Sequence, residues 1–428
     1  MIEKFERRKI GEGIYLTEIV DPKFKANVVR IRFCMPLDED NAGANVLTAM
    51  LLMTSNAHIR SRSELTKKFA GLYGSSIGTS WGNISDFQQV GFSMSCILDK
   101  YTIGGEKVSG EAMRELMRCI FEPDMTEGLF SEKYFALRKQ ELLDNIRAAV
   151  NDKRSYAYQR AKNTIYSGEP AALPELGSYE RAEKITREEL SERYGYMLKS
   201  AAMELTVCGG GEAAEAVEIL TEAFGKIKRE NVVSPGYRRP SPLKKEPAEV
   251  SEPMELKQSK MFMAFKSQCR DIYLCKVFVA MLGGSPFSKL FANVREKLSL
   301  CYYCDCAYSE LKGTMFIDSG LDNANTDKAR AAIMEQLRAM QEGDFTDEEL
   351  ENTKLLLKGG FKSNYDSEWD IAGWYAVQNT RGTSYSPEEV AVLIDKVTRE
   401  QVVECAKSFE LDSVFILKAV EKEEERNG

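Results

Sequence analysis

Three observations predict an α+β fold built from two duplicated domains, each a largely antiparallel sheet with packed helices. The first is an internal repeat. Lys184-Ile185-Thr186-Arg187-Glu188-Glu189-Leu190 returns 212 residues later as Lys396-Val397-Thr398-Arg399-Glu400-Gln401-Val402. Glu127-Gly128-Leu129-Phe130-Ser131-Glu132 returns 215 residues later as Glu342-Gly343-Asp344-Phe345-Thr346-Asp347. Both offsets lie close to half of the 428-residue chain, and the repeats keep their order, as duplication of one unit requires. The second is that strand-like and helix-like segments are interspersed in both halves. The third is that five of the twelve prolines fall between Pro235 and Pro253, where a connection between two halves belongs.

The elements follow in order. Residues 28–33, Val-Val-Arg-Ile-Arg-Phe, are β-branched and aromatic with partial alternation and read as a strand. An apolar helix is expected over 44–53. A longer amphipathic helix is expected over 131–150, where Phe135, Leu142, Ile146 and Ala149 share a face. Thr186 with Glu189 fits the capping box that opens a helix, as does Thr346 with Glu349. The prolines fix φ and remove ladder donors, so that region reads as an extended connection. The second half then repeats a strand over 261–265 and an apolar helix over 274–282. Ala280-Met281-Leu282 echoes Ala49-Met50-Leu51. The predicted domains are 1–232, a proline-rich linker at 233–257, and 258–428.

Hydrophobic residues at 43% and charged residues at 29% describe an ordinary globular chain, and no apolar run reaches the roughly 18 residues of a membrane span. The charged start, from Met1 to Lys9, lacks the apolar stretch of a secretory signal, so a cytoplasmic protein with no membrane partner is expected. The ten scattered cysteines agree with that compartment. A net charge of −8 argues against a nucleic-acid partner. The acidic tail, 421–426, reads as solvated.

The most specific stretch is Leu282-Gly283-Gly284-Ser285-Pro286-Phe287-Ser288-Lys289-Leu290-Phe291-Ala292-Asn293-Val294-Arg295-Glu296-Lys297. It resembles the second-domain pattern of the pitrilysin/insulinase family of zinc peptidases, the H-x-x-E-H inverzincins: a Gly-rich turn, S-[RK]-L-[FY], then V-R-E-K and a Tyr. Tyr166 to Gly177 and Ile185-Thr186-Arg187-Glu188 resemble the family's segment before the last helix of its first domain. The similarity spans nearly the whole chain. It is closest to small members related to processing peptidases, which carry two domains of similar fold.

That resemblance places the family's zinc helix just ahead of Leu51-Leu52-Met53-Thr54-Ser55-Asn56, and there the chain departs from it. The two His positions hold Val46 and Met50, the Glu position holds Ala49, and the third ligand falls near Asn145. Two imidazoles one helical turn apart bind zinc, and the Glu between them acts as base on the metal's water. Val46 has no donor atom, Met50 offers a poor one, and Ala49 cannot move a proton. His58 is the sole histidine, so no two-His site can form anywhere in the chain. No cofactor is expected here; zinc is expected on a partner.

The resemblance also implies what remains. Active complexes hold the substrate backbone with an Arg and a Tyr seven residues apart, the spacing of Arg295 and Tyr302. A guanidinium can hold a carbonyl oxygen through two donors, and a phenol can donate to developing negative charge. In this family the metal and the Arg/Tyr pair can lie on separate chains. A catalytically inactive, substrate-binding subunit of a heterodimeric zinc peptidase is therefore expected, partnered by an H-x-x-E-H sister subunit and acting on a peptide or unfolded polypeptide. A homodimer in isolation is a second assembly to test. The alternative is a purely structural or assembly protein with no catalytic contribution. A cysteine nucleophile finds no Cys/His arrangement to activate it.

Other features carry less. Gly283 and Gly284 read either as a short substrate-contacting turn or as a helix C-cap. Cys301, Cys304 and Cys306 read as buried strand thiols, with Cys304 and Cys306 on one face and Cys301 on the other. Cys269 and Cys275 lack the spacing of a zinc pair. Gly209-Gly210-Gly211 reads as a turn, because it lacks the pattern and the lysine of a phosphate loop. Trp369, Trp374 and Tyr375 read as packing residues.

Overall fold

The computed structural model describes residues 2–211 and 214–420, so the tail at 421–426 lies outside the described residues. The chain divides into two compact units. One gathers the chain up to Ala149 with Leu173–Tyr237 and Asn364–Ser384; the other gathers Val150–Ala172, Arg238–Ser363 and the chain from Tyr385 onward.

The strands are β1 (Lys4–Gly11), β2 (Ile14–Val20), β3 (Ala26–Pro36), β4 (Ser76–Ile84), β5 (Phe87–Ile97), the short hairpin β6 (Met125–Thr126) and β7 (Leu129–Phe130), β8 (Ala202–Gly209), β9 (Ala248–Glu255), β10 (Ser259–Lys266), β11 (Tyr303–Ser309), β12 (Thr314–Leu321) and β13 (Glu410–Val420). The first unit's sheet runs β1-β2-β8-β3-β5-β4 and the second's runs β11-β12-β10-β13-β9. In the first, β2 and β8 are the parallel pair; in the second, β9 and β13 are. The remaining ladders of both sheets are antiparallel. Reading β2, β8, β3, β5, β4 against β9, β13, β10, β12, β11 therefore matches order and direction strand for strand, with β1 added outside β2.

The helices repeat in the same way. β3 and β10 each lead into a buried helix, Ala42–Leu52 and Ile272–Leu282. After each hairpin come Val108–Phe121 and Glu132–Ala148 in one unit, Thr326–Glu342 and Asp347–Ser363 in the other. Each series closes with a Thr-capped helix, Arg187–Ser200 or Arg399–Lys407, that feeds the last strand. Thr346 and Thr398 form complete capping boxes with Glu349 and Gln401. Thr186 accepts from the Glu189 amide at 3.2 Å, but the Glu189 carboxylate turns to Arg181 instead of closing the box.

Two segments correct the contiguous domain boundaries. Helix Lys153–Ile165 lies within 1–232 but buries Ala157, Ala161 and Ile165 against Phe262, Phe316 and Phe415 of the second sheet. Helix Glu368–Arg381 lies within 258–428 but buries Ile371, Ala372 and Tyr375 with Ile19, Phe24 and Cys208 of the first, and Tyr375 stacks on Phe5 at 4.1 Å. The exchange follows apolar surface, which periodicity alone does not assign to one sheet or the other. The linker is also shorter than 233–257, because Ala248–Glu255 is the edge strand β9. The segment before it is pinned within the second unit: Lys244 Nζ meets Asp412 at 2.7 Å, and Lys266 Nζ meets the same fully buried carboxylate at 3.0 Å and the Pro242 carbonyl at 2.8 Å.

Candidate functional site

Helix Ala42–Leu52 is buried along its entire length, as an apolar helix without a polar stripe must be. Val46 and Ala49 are fully inaccessible and Met50 is buried beside them in the first unit's core. A zinc ion does not fit these residues: none offers an imidazole or carboxylate, and the polar groups that are present are already satisfied. Thr54 Oγ1 bonds the Met50 carbonyl at 2.7 Å and accepts from the buried Arg138 Nε at 2.8 Å. Asn145 is not gathered with the other three. Helix Glu132–Ala148 buries Tyr134, Arg138, Leu142 and Leu143, and Asn145 is exposed. Leu142, not Asn145, approaches Gly43 at the start of the zinc-helix equivalent.

Arg295 and Tyr302 are brought together. Arg295 rides on a π-helical turn, Leu290–Lys297, whose widened ladder appears in the bond from the Leu298 amide to the Asn293 carbonyl. Ser299, with φ of +50°, turns the chain toward β11. Arg295 Nε then donates to the Tyr302 carbonyl at 3.0 Å, while the Tyr302 amide donates to the Gly320 carbonyl at 2.8 Å. The guanidinium lies over the Phe291 ring at 4.7 Å, and Nη1 is 3.6 Å from Glu296. Tyr302 is 53% exposed, its hydroxyl making long contacts of 3.2 and 3.4 Å to the Asp322 carboxylate. The pair thus presents an exposed phenol and an exposed guanidinium edge from one backbone-stapled turn. Such donors can hold a peptide carbonyl or an oxyanion.

Gly283 and Gly284 separate in role. Gly283 is buried, and a Cβ there would meet Cys306 Cβ at 2.6 Å and Leu290 Cδ1 at 2.7 Å. Its carbonyl accepts from the Cys306 amide at 3.0 Å. Close packing of the helix end against β11 requires that glycine. Gly284 is exposed. Cys304 and Cys306 alternate inward on β11 as expected, but Cys301 precedes the strand and lies beside Cys304, whose thiol lowers its pKa.

Sequence reasoning missed a polar cluster that joins β11 and β12 to helix Lys153–Ile165. Arg154 bonds Asp305 at 2.7 Å and Asp318 at 2.5 Å and lies over the Tyr303 ring at 4.3 Å. Burial raises the Asp318 pKa even against that guanidinium. Arg154, Asp305 and Asp318, with Tyr158, Phe262 and Phe316, line a cavity of about 270 Å³. No local motif signals it, because Arg154 comes from a helix 151 residues upstream of Asp305.

Residues 184–357 match the family described as "Peptidase M16 inactive domain". The Bacillus subtilis (strain 168) protein "Probable inactive metalloprotease YmfF" is 24% identical over 403 residues, covering 93% of this chain and 94% of that one. Among solved structures, a conserved protein from Enterococcus faecalis V583 superposes with a TM-score of 0.89 at 25% identity, covering 97% and 99% of the two chains. A peptidase M16 inactive domain from Pseudomonas fluorescens does so at 0.81 and 16% identity, covering 97% and 98%, a likeness of fold alone. These matches span a chain whose zinc-helix positions hold Val46, Ala49 and Met50. Residues 184–357 thus carry the match to the M16 inactive-domain family, and nearly the whole chain is similar to a probable inactive metalloprotease.

Proposed function

We propose that this chain is the substrate-binding subunit of a heterodimeric zinc peptidase, supplying Arg295 and Tyr302 in trans to an H-x-x-E-H partner that carries the zinc. One observation carries the reading: both side chains reach the surface from a single stapled turn, with the phenol hydroxyl held, among the described residues, by long bonds to Asp322. An exposed phenol in such contacts can exchange them for a substrate oxygen at little cost. The guanidinium keeps its Nη groups for a carbonyl, because its contact to Glu296 is a loose surface pair. A peptide or unfolded polypeptide is the fitting substrate, since the pair recognises backbone rather than side chain.

A purely structural role is favoured by one fact, that Arg295 also staples its own turn through Nε. Mixing the chain with an H-x-x-E-H sister protein and measuring peptide cleavage separates the two readings. The first expects cleavage only from the mixture, and its loss with Tyr302→Phe. Cleavage by the sister alone at the full rate, or full activity with Tyr302→Phe, selects the structural reading.

A further inference from the structure

We propose that Cys269, Cys275 and Cys405 form a site for one thiophilic d10 metal ion, Zn²⁺ or Cu(I), bound through three thiolates. The three sulfurs lie within 4.8 Å of one another, and those of Cys275 and Cys405 are 3.8 Å apart. Metal–thiolate bonds of about 2.3 Å set sulfur–sulfur edges of roughly 3.8 to 4.0 Å in tetrahedral or trigonal geometry. One edge of the triangle therefore already has that length, and the others need only a shift of less than about 1 Å. Three thiolates without imidazole or carboxylate form a soft donor set, which selects Zn²⁺ or Cu(I) over hard cations.

The ligands come from three places in the second unit. Cys269 lies in the loop after β10, Cys275 in the first turn of helix Ile272–Leu282, and Cys405 near the end of helix Arg399–Lys407. The loop is fixed by bonds that do not use the Cys269 sulfur, whose thiol makes a long contact of 3.9 Å to the Asp271 carbonyl. The Cys269 amide donates to Ser267 Oγ at 3.0 Å, Ser267 Oγ meets Ser408 Oγ at 2.7 Å, and Ser408 Oγ bonds the Cys405 carbonyl at 2.7 Å. Arg238 bonds the Cys269 carbonyl at 3.1 Å and brings positive charge to the site. The buried Tyr308 hydroxyl sits beside Cys275, where it can donate to a metal-bound sulfur. Cys269 is half-buried, which leaves an entry path, whereas the other two are buried. Binding displaces the thiol protons to solvent. No residue of the degenerate peptidase helix takes part, so the ion is not a catalytic zinc.

The test uses the full chain, purified without a metal-affinity column, stripped with chelator under a phosphine reductant, and titrated separately with Zn²⁺ and Cu(I) against chromophoric chelators. One equivalent should bind, with three thiols becoming protected from alkylation. Cys269→Ser should weaken binding by at least roughly 100-fold, the upper end of what losing an outer-shell partner costs, and Cys301→Ser should leave it unchanged. The tighter of the two titrations identifies the ion. Failure of both ions to bind, binding that survives Cys269→Ser, or a Cys275–Cys405 disulfide formed in air with no metal uptake after reduction would each overturn the site. Thiol protection in the wild-type chain decides the matter even if a variant does not fold.

Discussion

The Arg295 side chain is tied to the backbone of Tyr302, Nε to carbonyl oxygen at 3.0 Å, so the two residues of the proposed substrate clamp also hold each other's geometry. Arginine and tyrosine are therefore not equivalent probes. Removing the guanidinium frees the turn as well as the donor, whereas removing the phenol hydroxyl leaves the turn intact.

Tyr302→Phe should leave folding unchanged within about 0.5 kcal/mol, since the hydroxyl is exposed and its bonds are long. Mixed with an H-x-x-E-H partner, it should lower turnover by about 10²- to 10³-fold, as loss of an oxyanion donor does elsewhere. Arg295→Ala should lower turnover and also loosen the turn, whereas Arg295→Lys keeps the charge and loses the Nε staple. Peptide cleavage at saturating complex, alongside chemical denaturation, reads both effects.

Rebuilding the zinc helix should fail. Val46→His, Ala49→Glu and Met50→His place three polar groups in a fully buried helix whose neighbours are apolar. Each unpaired buried polar group costs about 1 to 3 kcal/mol, and no third ligand faces them, since Asn145 is exposed. A loss of midpoint denaturant concentration with no peptide cleavage is the expected outcome. Cleavage by the triple variant alone would show that the helix can open.

Gly283→Ala should destabilise by about 1 to 3 kcal/mol through overpacking, because the new Cβ meets Cys306 and Leu290 below 3 Å. Gly284→Ala is the informative contrast. Its site is exposed, although a Cβ would stand 3.0 Å from Ala280 Cα. If this turn contacts substrate, Gly284→Ala should raise KM for the complex with a smaller change in stability than at Gly283.

Asp412 should anchor the second unit's stability toward acid. Burial raises its pKa, but bonds from Lys244 and Ser413 outweigh that and leave it lowered overall. A carboxyl whose folded pKa is depressed contributes stability above its unfolded value of about 3.9, and the contribution is lost as pH falls through the folded value. Asp412→Ala should cost about 3 to 5 kcal/mol near neutrality, since it strands the buried Lys266. The variant's stability should also fall less steeply than wild type's below roughly pH 4. Denaturation across pH measures both.

In the second sheet, β13 between β9 and β10 repeats the place of β8 between β2 and β3, and this symmetry was legible in the repeated heptapeptides that open the helices feeding both strands. Strand and helix types, the Thr caps, the missing zinc ligands and the seven-residue Arg295–Tyr302 spacing are local properties, set by side-chain period, capping chemistry and residue identity. Only the tertiary structure decided which sheet each crossover helix covers. The apolar faces of Lys153–Ile165 and Glu368–Arg381 state that they are buried but not against what. The same limit applied to the sites. Arg154 reaches Asp305 and Asp318 from far upstream, and Cys405 reaches Cys275 across 130 residues of chain. A ligand set assembled over such separations has no spacing to recognise, because its geometry comes from helix packing rather than from the period of any one element.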